Sequence, residues 1–442
     1  MEYGWILEKS FEIKDEIVAC RRKIHTLAEV GFETEKTKKF IHDELVKIGL
    51  SPRYAGGGVV CEIVGEAEFY PLTNIDGKNM GAVTEKIKNI PKSKCVLLRA
   101  DIDALPIYEE TNIPFRAKNG NMHACGHDMH AATLIGAAKI LNGSKEKLCG
   151  TVKLVFQSAE EILSGAKEMI AAKVMENPRV DCCVALHMVL GTELEAGTVI
   201  LPSNQMSAPY ADFFRITVKG EGGHGAAPEK SKNAALCAAA ITIEIGKLVS
   251  KRQANDFSVS ICQINSGNAP NVIPEKCDMS GNLRALSPQA RNNVTNEIEE
   301  ICHRVSKAHG CMAEFELTSS TCALFCNENL SKCAEECLKS AFSSPKNKNC
   351  ALVLSALKST IKASTPSEDF AEFANRAPSI LLGISAGKKS TGFSYPLHNP
   401  RAIFDEEALP FATASYATIA IGFLNTVDQI TNASQNKQNT GF

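Results

Sequence analysis

The stretch Cys95-Val-Leu-Leu-Arg-Ala-Asp-Ile-Asp103 places a short apolar run directly before two aspartates. Similar apolar runs recur at Val152–Phe156 and at Asp181–Leu186, with helical patterns between them. Strands that read as continuous apolar runs are typical of parallel sheets that are buried on both faces. Alternating strands and helices therefore predict an α/β fold, with a mostly parallel sheet that is covered by helices.

Acidic and imidazole side chains follow these predicted strands closely. In open α/β sheets, ligands collect beyond the carboxyl ends of the strands. The sequence therefore predicts one shared site at that edge of the sheet. Its candidate members are Asp101, Asp103, Glu160, Glu161 and His187.

The order of predicted strands and helices changes near Ala211. Strand, helix, two strands, helix and strand follow each other from Phe213 to Leu317, which is the β-α-β-β-α-β order of a ferredoxin-like unit. We therefore expect a catalytic domain formed by residues 1–208 and 317–442, with an α+β domain inserted at residues 209–316. The polar segment Glu66–Lys94 is interpreted as a surface insertion with no assigned role.

Composition excludes several classes of function. The chain has 442 residues and a net charge of −2, which gives no electrostatic reason to expect nucleic acid or an acidic membrane as a partner. Neither a secretion signal nor a run of about 20 apolar residues is present. The seventeen scattered cysteines favour free thiols in a reducing compartment, so a cytoplasmic protein is expected.

Four cysteines lie near each other in the second half of the chain. A structural zinc site is one interpretation of them, but the tight Cys-x-x-Cys spacing is missing and buried free thiols are favoured. They are Cys322, Cys326, Cys333 and Cys337.

The segment His123-Ala-Cys-Gly-His-Asp-Met-His130 holds the densest set of reactive side chains. Cys125 and His127 can both reach a metal if the chain turns sharply between them, and Gly126 permits that turn. Asp128 is expected to cap the following helix. A polar loop before a helix is the plain alternative, and a thiol–imidazole nucleophile is a second functional one.

The adjacent glutamates Glu160 and Glu161 are costly together unless a metal neutralises one of them. The other can then accept a proton from water. Taken alone, the pair equally fits a solvated acidic helix start. His187 and His398 are, taken singly, more typical of satisfied core histidines, so the argument rests on their coincidence with the other motifs.

Several motifs occur together in a fixed order. They are Arg21-Arg-Lys-Ile-His25, Gly31-Phe-Glu-Thr34, Arg99-Ala-Asp-Ile-Asp-Ala-Leu-Pro106, His123-Ala-Cys-Gly-His-Asp128, Phe156-Gln-Ser-Ala-Glu-Glu161, Leu186-His187, Gly220-Glu-Gly-Gly-His224, Gly267-Asn-Ala-Pro-Asn-Val-Ile-Pro274, Ser367-Glu-Asp-Phe370 and Leu397-His-Asn-Pro400. In this order the chain resembles the metal-dependent amidohydrolases that include hippurate hydrolases, indole-acetyl-amino-acid hydrolases, N-acyl-amino-acid deacylases and N-acetyldiaminopimelate deacetylases.

The resemblance implies two divalent ions per subunit, zinc or manganese, with cobalt as a further option. Glu160 matches the general base, and Asp103 matches a carboxylate that orients a ligand. The small domain, with His224, Asn271 and Arg284 as substrate-binding positions, is implied to act as a lid and to form a homodimer. For Arg284, a surface ion pair is an equal interpretation. The implied metal ligands are Cys125, His127, Glu161, His187 and His398.

The implied reaction is hydrolysis of the amide bond of an N-acyl or N-aroyl amino acid. The alternatives are a metallo-dipeptidase or aminopeptidase that acts on free-amine peptides, and a metal-binding homologue without catalysis. The sequence departs from the family at Ser158, where a proline is usual, at Leu27-Ala-Glu29, and at Ile162-Leu-Ser-Gly165. Because Ser158 and Ile162 flank the expected site, these departures bear on substrate preference rather than on the chemistry.

Overall fold

Residues 3–67, 94–202, 206–251, 256–343, 362 and 365–425 are described in a computed structural model of the chain. The helices are α1 (Gly4–Glu12), α2 (Lys14–Leu27), α3 (Glu35–Lys47), α4 (His127–Asn142), α5 (Gly165–Ala171), α6 (Ala234–Lys251), α7 (Pro288–Ala308), α8 (Glu328–Phe342), α9 (Ala371–Ala374) and α10 (Ala408–Leu424). Most of the predicted insertion, residues 68–93, and the polar tail from Asp428 lie outside the described residues.

The strands are β1 (Arg53–Ala55), β2 (Gly58–Val64), β3 (Lys94–Asp101), β4 (Gly150–Gln157), β5 (Cys182–Val189), β6 (Val199–Ile200), β7 (Met206–Ala208), β8 (Tyr210–Lys219), β9 (Gly223–His224), β10 (Phe257–Ser266), β11 (Val272–Ile273), β12 (Lys276–Ala285), β13 (Met312–Thr321), β14 (Leu324–Phe325) and β15 (Ser379–Ser385).

The main sheet has seven strands in the order β1-β2-β4-β3-β5-β15-β6. Its four central strands, β4, β3, β5 and β15, are parallel, whereas β1, β2 and β6 join antiparallel at the two edges. The prediction of an α/β fold is confirmed, and the sheet is mixed rather than purely parallel. Both faces of the central strands are buried, so the side chains on either face must be apolar or must pair with other buried polar groups.

Helices complete the core of this sheet. The helix α10 is buried along its whole length and packs against α4, α8 and β3. Its apolar residues run around all of its faces, which is the pattern of a helix enclosed by other elements. Among the helices of the described residues, none combines the length and the apolar character that crossing a bilayer requires.

A second sheet is built from β10-β12-β8-β13, all antiparallel. The helices α6 and α7 pack on this sheet around a separate apolar core. Along the chain, the main elements of this unit follow in the order strand, helix, two strands, helix and strand. The helix α7 begins at Pro288 and ends at Ala308, and the Ser287 hydroxyl caps it by accepting the Ala290 N–H.

The expectation about the start of α4 differs from the structure. Asp128 does not cap α4, because the helix starts at His127 with Gly126 at its cap. The Asp128 carboxylate instead pairs with His25 and Arg21. Thr34 directly precedes α3, but its side chain does not cap the helix; its hydroxyl instead shares a 2.6 Å hydrogen bond with the Ser158 hydroxyl.

Candidate metal centre

The predicted site residues lie at the carboxyl edge of the central strands. Asp101 is the last residue of β3, and Glu160 and Glu161 follow β4 in the loop that leads to α5. His187 lies inside β5, which continues to Val189 rather than stopping at Leu186. Asp103 follows two residues after β3.

A sharp turn joins the thiol of Cys125 to the imidazole of His127. Gly126 between them has φ +85°, and a Cβ at this position would come within 2.8 Å of the Phe404 ring. Only glycine adopts such a conformation without strain. The turn therefore lets two side chains that are two residues apart face the same volume.

Hydrogen bonds fix which nitrogen each central histidine offers. The Nδ1–H of His127 donates to the Asp103 carbonyl oxygen at 2.9 Å, and the Nδ1–H of His187 donates to the Met188 carbonyl at 2.8 Å. Both histidines therefore keep Nε2 as the free lone pair. The His187 Nε2 lies 3.5 Å from the Cys125 sulfur.

Glu161 and His398 complete the group from two further segments. The Glu161 Oε1 is 3.5 Å from the His398 Nε2 and 3.9 Å from the His127 Nε2. The backbone N–H of His398 donates to the Ala124 carbonyl at 2.9 Å, which ties its loop to the Cys125 turn.

Potential ligand atoms of the described residues form five groups, each within 4.8 Å, and two of these groups contain the Cys125 sulfur. One contains Cys125, His127 and His187, and the other contains Cys125, Glu161 and His398. Because Cys125 belongs to both, the arrangement suits two ions that share one sulfur ligand. Thiolate, imidazole and carboxylate donors together fit zinc, manganese or cobalt.

Two buried atoms support this fit. The His127 Nε2 and the Glu161 Oε1 have no hydrogen-bond partner among the described residues, although both are shielded from solvent. Buried polar atoms are nearly always paired, and a cation between them would satisfy both.

The carboxylate of Asp103 holds the backbone of the glutamate pair. Its Oδ1 accepts the N–H of Glu160 at 3.1 Å, and its Oδ2 accepts the N–H of Glu161 at 3.3 Å. Ala159 before them has φ +60°, an uncommon conformation for a non-glycine residue. Asp103 thus touches His127 through its carbonyl and both glutamates through its carboxylate.

Glu160 borders the groups that contain Cys125. Its Oε2 is 4.0 Å from the His127 Nε2, and its carboxylate groups with His127 and Glu161 on one side and with Glu368 and Asp369 on the other. Burial, followed by the charges of Glu368 and Glu161, holds the pKa of the Glu160 carboxyl well above its usual range.

The three predicted substrate-binding residues are placed differently. His224 and Asn271 are exposed and lie together where β9 pairs with β11. Arg284 is half-buried in β12 and donates to the Thr365 carbonyl at 3.3 Å and to the Ser367 hydroxyl at 2.7 Å. Its charge acts on Glu160 and His398, whereas His224 belongs to none of the ligand groups among the described residues.

Sequence reasoning missed several residues that surround the ligands. The His130 Nδ1–H donates to Asp101 at 2.5 Å and its Nε2 accepts the Met188 N–H at 2.9 Å, so His130 has no lone pair left for a metal. Glu368 and Asp369 reach the site from the distant Ser367-Glu-Asp-Phe370 motif. The order of residues gave no signal for these long-range contacts, although the motif itself was visible.

The remaining cysteine interpretations find little support. Burial, and then the charge of Glu161, raises the pKa of the Cys125 thiol well above its usual range, which disfavours a free thiolate nucleophile. The candidate metal-binding groups of the described residues contain none of the four cysteines weighed as a zinc site. Every cysteine in the described part of the chain is a free thiol.

An α/β sheet that gathers sulfur, imidazole and carboxylate donors around paired glutamates defines a metal-dependent hydrolase. The chain matches the family described as peptidase family M20/M25/M40 over residues 97–421. It belongs to that family. The resemblance inferred from the motifs is thereby confirmed, as is the expectation of a metal-dependent amidohydrolase.

Relatives agree over nearly the whole chain. The IAA-amino acid hydrolase ILR1-like 2 of Arabidopsis thaliana is 31% identical over 94% of this chain and 87% of its own length. Thermostable carboxypeptidase 2 of Saccharolobus solfataricus is 30% identical over 94% and 97%. The crystal structure of the Bacillus subtilis YXEP protein, titled a dinuclear metal binding peptidase from the M20 family, is 26% identical over 94% and 99%, with a TM-score of 0.66.

Proposed function

We propose that this enzyme hydrolyses the amide bond of N-acyl or N-aroyl amino acids and releases a carboxylic acid and an amino acid. The observation that carries the proposal is the division of labour between the paired glutamates. Glu161 groups with Cys125 and His398, whereas Glu160 groups with His127 and Glu161 and, among the described residues, shares no group with the Cys125 sulfur, so its carboxyl would serve proton transfer.

The metal centre would consist of two divalent ions, zinc or manganese, with cobalt as a further option. When bound, such ions polarise the scissile carbonyl and lower the pKa of water. The ligands would be Cys125, His127, Glu161, His187 and His398. Asp103 would orient His127 and fix the backbone of the glutamate pair.

Glu160 would move the proton in both halves of the reaction. Its carboxylate takes the proton from the attacking water and later delivers it to the nitrogen of the leaving amine. The raised pKa of Glu160 suits both roles, because a base that binds its proton too weakly cannot hold it until the amine leaves.

An apolar surface next to the glutamates supports an apolar acyl group. Phe32 and Ile162 are 37% and 39% exposed, and Ile162 directly follows Glu161. A Cβ at Gly31 would lie 3.6 Å from the Ile162 Cδ1, so the two apolar residues belong to neighbouring segments. The Ala104 N–H donates to the Glu29 carbonyl at 2.7 Å, which holds this turn beside Asp103.

The free carboxylate of the substrate requires a cation. Arg284 is the proposed partner, because it is half-buried and its charge already acts on Glu160 and His398. His224 and Asn271 would contact substrate from the small domain, with His224 stabilising the oxyanion.

The substitution Glu160→Gln tests the general base. The amide keeps the size of the side chain but cannot accept the proton, so kcat should fall by about 10²–10⁴-fold while the metal content stays at two ions. Glu168→Gln, at an exposed position of α5, is the matched control and should retain full activity. Amide hydrolysis near the wild-type rate by metal-loaded Glu160→Gln would show that the base is misassigned.

Substrate class is tested by comparing acylated and free-amine dipeptides under identical metal conditions. Turnover of the N-acyl compounds alone is expected. Preference for a free amine would instead support a metallo-dipeptidase or aminopeptidase. Full metal occupancy with no turnover across a broad N-acyl amino acid panel would support an inactive homologue.

For the assembly, we propose a catalytic domain of residues 1–208 and 317–442 and a lid and dimerisation domain of residues 209–316, in a cytoplasmic homodimer. Leu236 and Ile243 support a contact between subunits, since both are 59% exposed and lie seven residues apart on one face of α6. A mass measurement in solution should give a dimer, and Leu236→Asp should weaken it. A stable wild-type monomer would contradict the proposal.

A further inference from the structure

Arg99 is a fully buried cation behind the metal centre. It lies in β3, two residues before Asp101, and its side chain is 1% exposed. Its guanidinium donates from Nε to the Gln157 Oε1 at 2.9 Å and from Nη1 to the Asp101 Oδ2 at 2.7 Å. Its Nη2 lies 2.9 Å from the Asp369 Oδ1 and 3.0 Å from the Glu368 Oε1.

One arm of this network leads to the histidines. Asp101 accepts from Arg99 through Oδ2 and from the His130 Nδ1–H through Oδ1. The His130 Nε2 in turn accepts the backbone N–H of Met188, the residue after His187. Arg99 is therefore connected by three successive contacts to the strand segment that carries His187.

The other arm leads to the loop that carries the paired glutamates. The Asp369 carboxylate accepts from the Gln157 side-chain amide at 2.7 and 2.8 Å and from the Ala166 backbone N–H at 3.0 Å. Gln157 ends β4, and Ala166 is the second residue of α5. Asp369 thus holds both ends of the short loop that contains Glu160.

Charge makes a cation necessary at this position. The carboxylates of Glu160, Glu368 and Asp369 lie within 4.8 Å of one another, and all three residues are buried. Like charges at such distances repel strongly when water is excluded. Arg99 contacts two of the three directly and so offsets the repulsion that would otherwise push Glu160 away.

We propose that Arg99 and Asp369 are positioning residues of this enzyme, which hold Glu160 at the distance from the ligand group that proton transfer requires. Neither residue belongs to the ligand groups that contain Cys125. The role of Glu160 as general base comes from the proposed function, on which this inference rests.

The proposal predicts a specific kinetic signature. In Asp369→Asn, the side-chain NH₂ group faces the N–H donors of Gln157 and Ala166, so hydrogen bonds that fix the glutamate loop are lost. Cys125 and His398 do not contact Asp369 and should keep their positions. We expect kcat to fall by about 10–100-fold, the range seen when partners of metal ligands are removed, with KM changed by less than about threefold. Arg99→Lys keeps the charge but loses the fork of donors, and should give a similar fall.

The exposed pair Arg215 and Glu316 provides a matched control. Arg215→Lys and Glu316→Gln alter an ion pair of the same type on the second sheet, and both should leave kcat unchanged. In the double variant of Arg99→Lys and Asp369→Asn, the two losses should not multiply, because residues that act as one unit are not additive.

Three further readouts separate positioning from general damage. Metals per subunit, the visible spectrum of the cobalt-loaded protein and the thermal midpoint are measured on each variant. A fall in kcat with two metals bound and an unchanged cobalt spectrum supports the proposal. Full kcat in a folded Asp369→Asn, or a loss that only follows metal content, overturns it. If Asp369→Asn does not fold, Arg99→Lys decides by the same criteria.

The outcome for Glu160 is independent of these results. If Glu160→Gln remains active, the assignment of Glu160 as the general base fails, whatever the Asp369 variant does. If Glu160→Gln is inactive while Asp369→Asn is fully active, only the positioning role is refuted.

Discussion

Replacement of Asp103 by asparagine perturbs the contact that joins the glutamate pair to His127. The wild-type carboxylate accepts two backbone N–H groups, from Glu160 at 3.1 Å and from Glu161 at 3.3 Å. An asparagine keeps one acceptor oxygen and turns its NH₂ group towards the other donor. One charge-assisted hydrogen bond is then lost and one buried N–H is left unpaired.

The size of the effect follows from that loss. A hydrogen bond to a charged group contributes about 1.5–3 kcal/mol. If this energy holds the glutamates in place, the variant should lose about 10–100-fold in kcat or in metal affinity. Because the carbonyl of residue 103 is retained, the His127 Nδ1–H keeps its acceptor and only the glutamate side should be affected.

The assay is steady-state kinetics on an N-acyl amino acid, combined with metal affinity from competition with a chelator. Asp43→Asn serves as a control, since the Asp43 side chain on α3 is 45% exposed and pairs with Lys39 and His42, away from the ligand groups. Wild-type kcat and wild-type metal affinity in Asp103→Asn would refute the reasoning, because the carboxylate would then hold nothing that the reaction needs.

Three further changes test the surroundings of the site. Gly126→Ala should lower the stability by about 2 kcal/mol and weaken metal binding, measured by thermal melting and metal content, because its φ is positive and a Cβ would meet Phe404. Lys153→Met should cost about 3 kcal/mol or more in urea unfolding, because the buried ammonium donates to three backbone carbonyls; an unchanged midpoint would contradict this. In metal-free protein at neutral pH, iodoacetamide should modify exposed Cys262 but spare Cys125, as mass spectrometry of peptides would show, because burial raises the pKa of the Cys125 thiol.

The position of the site could be predicted because it depends on local features. Apolar runs located the ends of β3 and β4, and parallel strands bring their carboxyl ends to one edge of the sheet. The edge of the sheet was harder, because β1 has only three residues and the antiparallel direction of β2 depends on its pairing with β1 and β4. A short apolar run does not indicate whether its strand lies parallel or antiparallel to the neighbouring strand.

Long-range pairing of buried charges could not be predicted. Asp128 precedes a helical pattern and has the residue type of a cap, but Arg21 and His25 from α2 bind its carboxylate instead. His123 belongs to the densest cluster of reactive residues, yet it enters none of the ligand groups, and burial lowers the pKa of its imidazole to about 3. Such outcomes depend on which side chains the fold brings near, and residue spacing does not record that.

Two networks of buried charges lie near α4, and they contact different parts of the site. Buried ion pairs are seldom the most stable choice, because the cost of removing charges from water offsets most of their attraction. The network of Arg21, His25 and Asp128 reaches the start of α4 but not the loop of the glutamates, so its retention is explained by the folding of that helix start. The network of Arg99 and Asp369 reaches both the glutamate loop and the segment of His187. If Glu160 is the proposed general base, the position of this network links it to the geometry of proton transfer rather than to stability alone.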